Sequence, residues 1–74
     1  MVENWTYWDE LRQQFGRFLM ELKPSQFKRT INSMSIGELK LARMSGISGW
    51  RWWYVERRLA SLILRKLAEE GKIT

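Results

Sequence analysis

From Gly49 to Glu70 the chain reads G-W-R-W-W-Y-V-E-R-R-L-A-S-L-I-L-R-K-L-A-E-E, and its apolar residues return at helical spacing. Trp52, Val55, Leu59, Leu62 and Ile63 fall on one side of such a helix, with Trp53, Ala60, Leu64 and Leu67 beside them. An apolar sector covering about half the circumference belongs to a helix that other elements surround. The opposite side carries Trp50, Arg51, Tyr54, Arg57, Arg58, Ser61 and Arg65, with Arg51, Arg58 and Arg65 seven apart and nearly in line. Gly71 ends the stretch, and Lys72-Ile73-Thr74 is a short tail.

The rest of the chain divides at its helix breakers. Over residues 4–23, Trp5, Trp8, Leu11, Phe15, Phe18, Leu19 and Leu22 recur every three or four positions, which predicts an amphipathic helix with this stripe in the core. Asn4 or Thr6 is expected to cap it, with Asp9 and Glu10 near its positive end. Gly16, unfavourable in a helix interior, points to a close approach by another helix. Lys23-Pro24 ends this helix, and proline suits the first turn of the next. That second helix spans 24–33, with Phe27 and Ile31 inward, Met34 just beyond, and Lys28 and Arg29 outward. Ser35 and Glu38 form a capping box that opens a third helix from Ile36 to Met44. Its apolar contacts are expected from Ile36, Leu39 and Leu41, with Ala42 as a close-approach point. Gly46 is placed to end it in a left-handed conformation, and Ser48 to cap the helix that follows. The expectation is an all-α protein, a compact bundle of about four helices forming a single domain over residues 1–74.

A chain of 74 residues buries only roughly 60% of the surface its unfolded form exposes, so it must pack efficiently or lean on a partner. It has no cysteine and no histidine. Disulfides and thiolate metal sites are excluded, and zinc would need carboxylates alone. The commonest general base and the strongest nucleophile are missing, and no phosphate loop, paired-carboxylate constellation or metal spacing occurs. Catalysis is therefore the least favoured class, and no cofactor is expected. Net charge is +5 and unevenly placed: residues 1–34 carry five basic and four acidic groups, residues 35–74 eight basic and four acidic. A basic half calls for an anionic partner. No apolar run reaches the roughly 20 residues that span a bilayer. The opening Met-Val-Glu-Asn-Trp lacks the layout of a secretion signal, so the expected location is cytoplasmic.

Between Glu38 and Arg57 the sequence resembles the helix-turn-helix family of DNA-binding proteins. Ala42 stands at the small position of the first helix, Gly46 four residues on in the turn, then Ile47 and the polar Ser48; Trp52 and Val55 follow five and eight residues after Ile47, and Leu41 fills the inward position before the alanine. Ser45 stands where an apolar residue is commoner, and Trp52 is bulkier than the usual valine or isoleucine. The resemblance implies two helices locked at a fixed angle, one entering the major groove while the other crosses the backbone. It implies a DNA-binding regulator or accessory factor, with DNA ahead of RNA and a homodimer to supply enough contacts. Arg51 and Trp50 would enter the groove, Lys40, Arg43, Arg57 and Arg58 would meet phosphates, and Ser48, Tyr54 and Arg65 complete the expected nucleic-acid-binding set. Exposed aromatics among basic groups also suit stacking on unpaired bases.

The alternative is a protein-interaction module, an adaptor or inhibitor. Trp, Tyr and Arg dominate binding hot spots, and W-R-W-W-Y gathers them. A membrane-surface role is disfavoured by the eight acidic groups and the capped multi-helix plan.

Overall fold

A computed structural model describes residues 2–72, with side chains described over 7–72. Four helices follow one another: α1 (Val2–Glu21), α2 (Pro24–Asn32), α3 (Ile36–Arg43) and α4 (Trp50–Glu69). There is no strand among the described residues, so the chain is an all-α bundle. None of its described helices is long and apolar enough to cross a membrane.

Each boundary has a local cause. α1 starts at Val2, so residues 4 and 6 lie inside the helix rather than capping it; the side chains of Asn4, Trp5 and Thr6 fall outside the described ones. Pro24 opens α2, where the Gln26 side chain accepts from the Lys23 backbone N–H at 3.2 Å. At α3 the capping box forms in full: Ser35 Oγ accepts from the Glu38 backbone N–H at 3.2 Å, and Glu38 Oε1 accepts from the Ser35 N–H at 2.9 Å. Hydrogen bonding of the carboxylate by Ser35, its backbone N–H first and its hydroxyl second, holds the Glu38 carboxyl below the usual carboxylate range. Gly46 adopts φ 92°, the left-handed exit the sequence anticipates. The cap of α4 differs from expectation. It is Gly49, at φ 66° and ψ −144°, and no side chain caps the helix; Ser48 is an exposed turn residue one position too early. Gly71, at φ 74°, closes α4, and Ile73 and Thr74 lie outside the described residues.

The core takes at least one residue from every helix: Leu19 from α1, Phe27 and Ile31 from α2, Leu39 and Ala42 from α3, Val55 and Leu59 from α4, with Ile47 from the turn. α4 packs chiefly on α3 and α2, and α1 packs chiefly on α3. Gly16 is the point of approach. A Cβ there would overlap the carbonyl oxygen of Ser45 and lie 2.8 Å from its carbonyl carbon, so what passes close is the turn after α3 rather than a helix side. Ser45 is buried, and its hydroxyl donates to the Ala42 carbonyl at 2.6 Å, which is how a polar residue is accommodated where an apolar one is commoner.

Three apolar expectations fail. The stripe of α1 does not enter the core as a whole: Leu19 is buried and Phe15 and Leu22 are half-buried, but Trp8, Leu11 and Phe18 are exposed. Contact through Gly16 and Leu19 seats the helix on one edge of its stripe, which leaves Trp8, Leu11 and Phe18 outside. Leu41 is 50% exposed, because it lies about 200° round the helix from the buried Leu39, which supplies the inward contact instead. On α4 the apolar sector is rotated from its expected position. Trp53, Ala60 and Leu64 face outward, while Arg51, Tyr54 and Arg58 are half-buried.

Candidate nucleic-acid interface

The side of α4 that carries arginine meets the ends of α1 and α2. A helix C-terminus presents carbonyl groups without partners and the negative end of the helix dipole, and cations satisfy both. α1 and α2 end beside α4. Arg51 Nη2 donates to the Leu22 carbonyl at 2.8 Å, just past the end of α1. Arg58 Nη2 donates to the Asn32 carbonyl at 3.2 Å, at the end of α2. Tyr54 Oη, between them, donates to Asn32 Oδ1 at 3.0 Å. The Nε atoms of both arginines are buried and lack a hydrogen-bond partner among the described residues.

An aromatic cluster fills the space below. The Phe27 ring meets Trp50 edge-on, with centroids 5.3 Å apart, and Tyr54 at 6.0 Å. The Arg51 guanidinium lies 4.6 Å from the Trp50 centroid and 5.6 Å from that of Phe27. Lys28 reaches across from α2, with Nζ 6.0 Å from the Trp50 ring and 5.9 Å from the Tyr54 ring. Such contacts hold cations over aromatic faces at about 0.5–1 kcal/mol each when exposed.

Above this cluster runs an open groove of about 390 Å³ between α2 and α4, lined by Asn32, Tyr54, Arg57, Arg58 and Ser61. No carboxylate lines it. Among the described residues Lys28, Arg57 and Arg58 have no carboxylate ion-pair partner. The groove therefore offers hydroxyl, amide and guanidinium groups to an anion, the donor set that phosphate oxygens take up.

The expected residues fall into two groups. Trp50, Tyr54, Arg57 and Arg58 come together at the groove and its rim, with Arg51 beneath them. Arg65 lies further along α4 and is exposed. Lys40 and Arg43 are exposed on α3 and are not among the groove's lining. Arg43 pairs with Glu56 at 3.2 Å, and Glu56 lies about 200° round α4 from Arg58, so this pair sits on another side of the helix. Lys28 and Asn32 were missed as site residues: one reads as a solvated charge and the other as a break, and no local pattern carries their contact with α4.

Among the described residues no group of three His, Cys, Asp or Glu lies together to hold a metal ion. No protein-family model, curated protein or solved structure matches the chain.

Proposed function

We propose that this protein is a small, non-enzymatic nucleic-acid-binding module with a helix-turn-helix-like centre, a regulator or accessory factor that acts on DNA ahead of RNA. The observation that carries the reading is the carboxylate-free groove between α2 and α4, where Arg57, Arg58, Tyr54 and Ser61 converge beside Lys28 and the exposed Trp50. Phosphate oxygens fit the cationic donors, and Trp50, 43% exposed at the rim, adds an aromatic surface of the kind on which unpaired bases stack. The α3–α4 unit is consistent with the resemblance, in that Ala42, Ile47 and Val55 are buried and Gly46 has a positive φ.

Arg57 tests the reading, because it is exposed and no described residue pairs with it. Fluorescence anisotropy with labelled double-stranded and single-stranded DNA, at about 50 and 200 mM salt, should show binding that weakens steeply with salt. Arg57→Ala should leave the fold intact, weaken binding and lower the salt slope by about one phosphate contact, roughly 0.9 in the log–log plot for a duplex. No binding at low salt to DNA or to RNA of either form would end the proposal.

A second reading, an adaptor or inhibitor that binds protein, is favoured by the outward side of α4. There Trp53 is 64% exposed and Leu64 55%, with Ala60 between them, two turns from the tryptophan and one from the leucine. It predicts salt-tolerant binding to a protein that fails with Trp53→Ala and is indifferent to Arg57→Ala.

A further inference from the structure

The outward side of α4 bears on which form of nucleic acid the groove takes, a question that rests on the groove's proposed role. Between Trp50 and Ala60 the exposed residues of α4 are Trp50, Trp53, Arg57 and Ala60, with Trp53 the most open of the aromatics at 64%. Measured round the helix from Trp53, Arg57 lies at about 40° and Trp50 at about 60° in the same direction, so two indoles and a guanidinium share one narrow sector. Trp53 and Arg57 are four residues apart, as are Arg57 and Ser61, so each neighbours the next on the helix surface. The sector therefore runs without a gap into the groove between α2 and α4, which Arg57 and Ser61 line.

A duplex makes poor use of this sector. Its base faces are covered by stacked neighbours, and a helix in the major groove meets only base edges, which it reads by paired hydrogen bonds. An indole has one donor and no acceptor. The neighbouring polar groups are already engaged, Arg51 with the Leu22 carbonyl and Tyr54 with Asn32, which leaves Arg57 as the one exposed base reader among these turns. Charge points the same way. A helix in the major groove, about 12 Å wide, lies between two rows of phosphates and calls for cations on both flanks. On one flank of Trp53 are Arg57 and Arg58, at about 40° and about 140°, with Lys28 facing them from α2. The other flank, at about 60°, carries the carboxylate of Glu56. That carboxylate also neutralises Arg43, at 3.2 Å.

We infer that the groove's ligand is single-stranded nucleic acid. Arg57, Arg58 and Ser61 take its one row of phosphates, and an unpaired base stacks on the outward indole of Trp53. This chemistry is shared by DNA and RNA strands.

The test is fluorescence anisotropy on the full chain at about 50 mM salt, with labelled probes of about 20 nucleotides. The probes are a mixed-pyrimidine DNA strand, its RNA counterpart, and the duplex of that DNA strand with its complement. The expected result is binding at least about tenfold tighter to a single strand than to the duplex, with the two strands telling DNA from RNA. Trp53→Ala should weaken single-strand binding by roughly 5- to 150-fold, the factor that loss of one stacked base represents, and leave duplex affinity and the salt slope unchanged. Its far-UV circular dichroism spectrum should match wild type. Trp53→Gln serves the same purpose should Trp53→Ala not fold, and Trp53→Tyr, which keeps a ring, should retain most of the affinity. Duplex binding as tight as single-strand binding overturns the inference and leaves the groove's role standing. So does a single-strand preference that neither Trp53→Ala nor Trp53→Gln diminishes. Absence of binding to every probe overturns the inference and the groove's role together.

Discussion

Gly16→Ala isolates the contact on which α1 depends. In an unencumbered helix this change stabilises by about 1 kcal/mol, because alanine loses less backbone entropy than glycine. Here the new methyl would overlap the Ser45 carbonyl oxygen and sit 2.8 Å from the carbonyl carbon. The obstacle is backbone, it is buried, and its residue is tied by its hydroxyl to Ala42, so it cannot swing away. Relief to the roughly 3.5 Å of an ordinary contact requires α1 to back off by more than an ångström. Overpacking of this kind costs about 1–3 kcal/mol. Withdrawal of Leu19, now fully buried, forfeits part of the about 1.5–3 kcal/mol its burial contributes. Set against the helix-propensity gain, the net loss is about 2 kcal/mol, which in a domain of this size lowers Tm by on the order of 10 °C. Thermal and urea unfolding followed by far-UV circular dichroism measure this directly. Gly37→Ala is the control, since that glycine lies within α3, has no positive φ and has no atom within 4 Å of the added methyl. It should gain about 0.5–1 kcal/mol. A Gly16→Ala variant that melts at or above the wild-type temperature would refute the packing argument.

Other outcomes follow from the same structure. Arg51→Ala removes the donor at the end of α1 and the plate stacked on Trp50, and should lower stability by about 1–2 kcal/mol, whereas Arg57→Ala should stay within about 0.5 kcal/mol; equal melting of the two variants would count against the division between structural and free arginines. Glu38 has a lowered pKa in the folded chain, so its stabilising effect is present above its unfolded pKa and is lost as pH falls through the lower folded value. Glu38→Gln should therefore unfold at lower urea than wild type near neutral pH and at the same urea in acid; a gap that is constant with pH would contradict the charged capping box.

Beyond its cap, α4 departs from expectation in two linked ways: Arg51 and Arg58 are half-buried, and Trp53 and Leu64 face outward. Arginines at 51 and 58 read as a solvated or ligand-facing row because helical pitch relates residues only to their own helix. Whether a side chain at a given angle meets solvent depends on where the neighbouring helices end. Leu22 and Asn32 present carbonyls that Arg51 and Arg58 meet, Val55 and Leu59 take the buried side, and Trp53 and Leu64 stay outside. The groove was half legible for the same reason. Tyr54, Arg57, Arg58 and Ser61 share one side of one helix, while Lys28 and Asn32 join them only through the return of α2.

Sequence alone determined what is local. The capping box at Ser35 and Glu38, the left-handed turn at Gly46, the proline start of α2 and the four-helix order depend on bonds between residues a few positions apart, or on the φ a single residue tolerates. Tertiary structure alone decided which part of each amphipathic face is covered. The stripe on α1 has the right spacing for a core helix, yet the bundle takes only its Gly16–Leu19 edge. Period records which residues share a face, but the extent of burial depends on how many neighbours reach that face, and a short chain has few to offer.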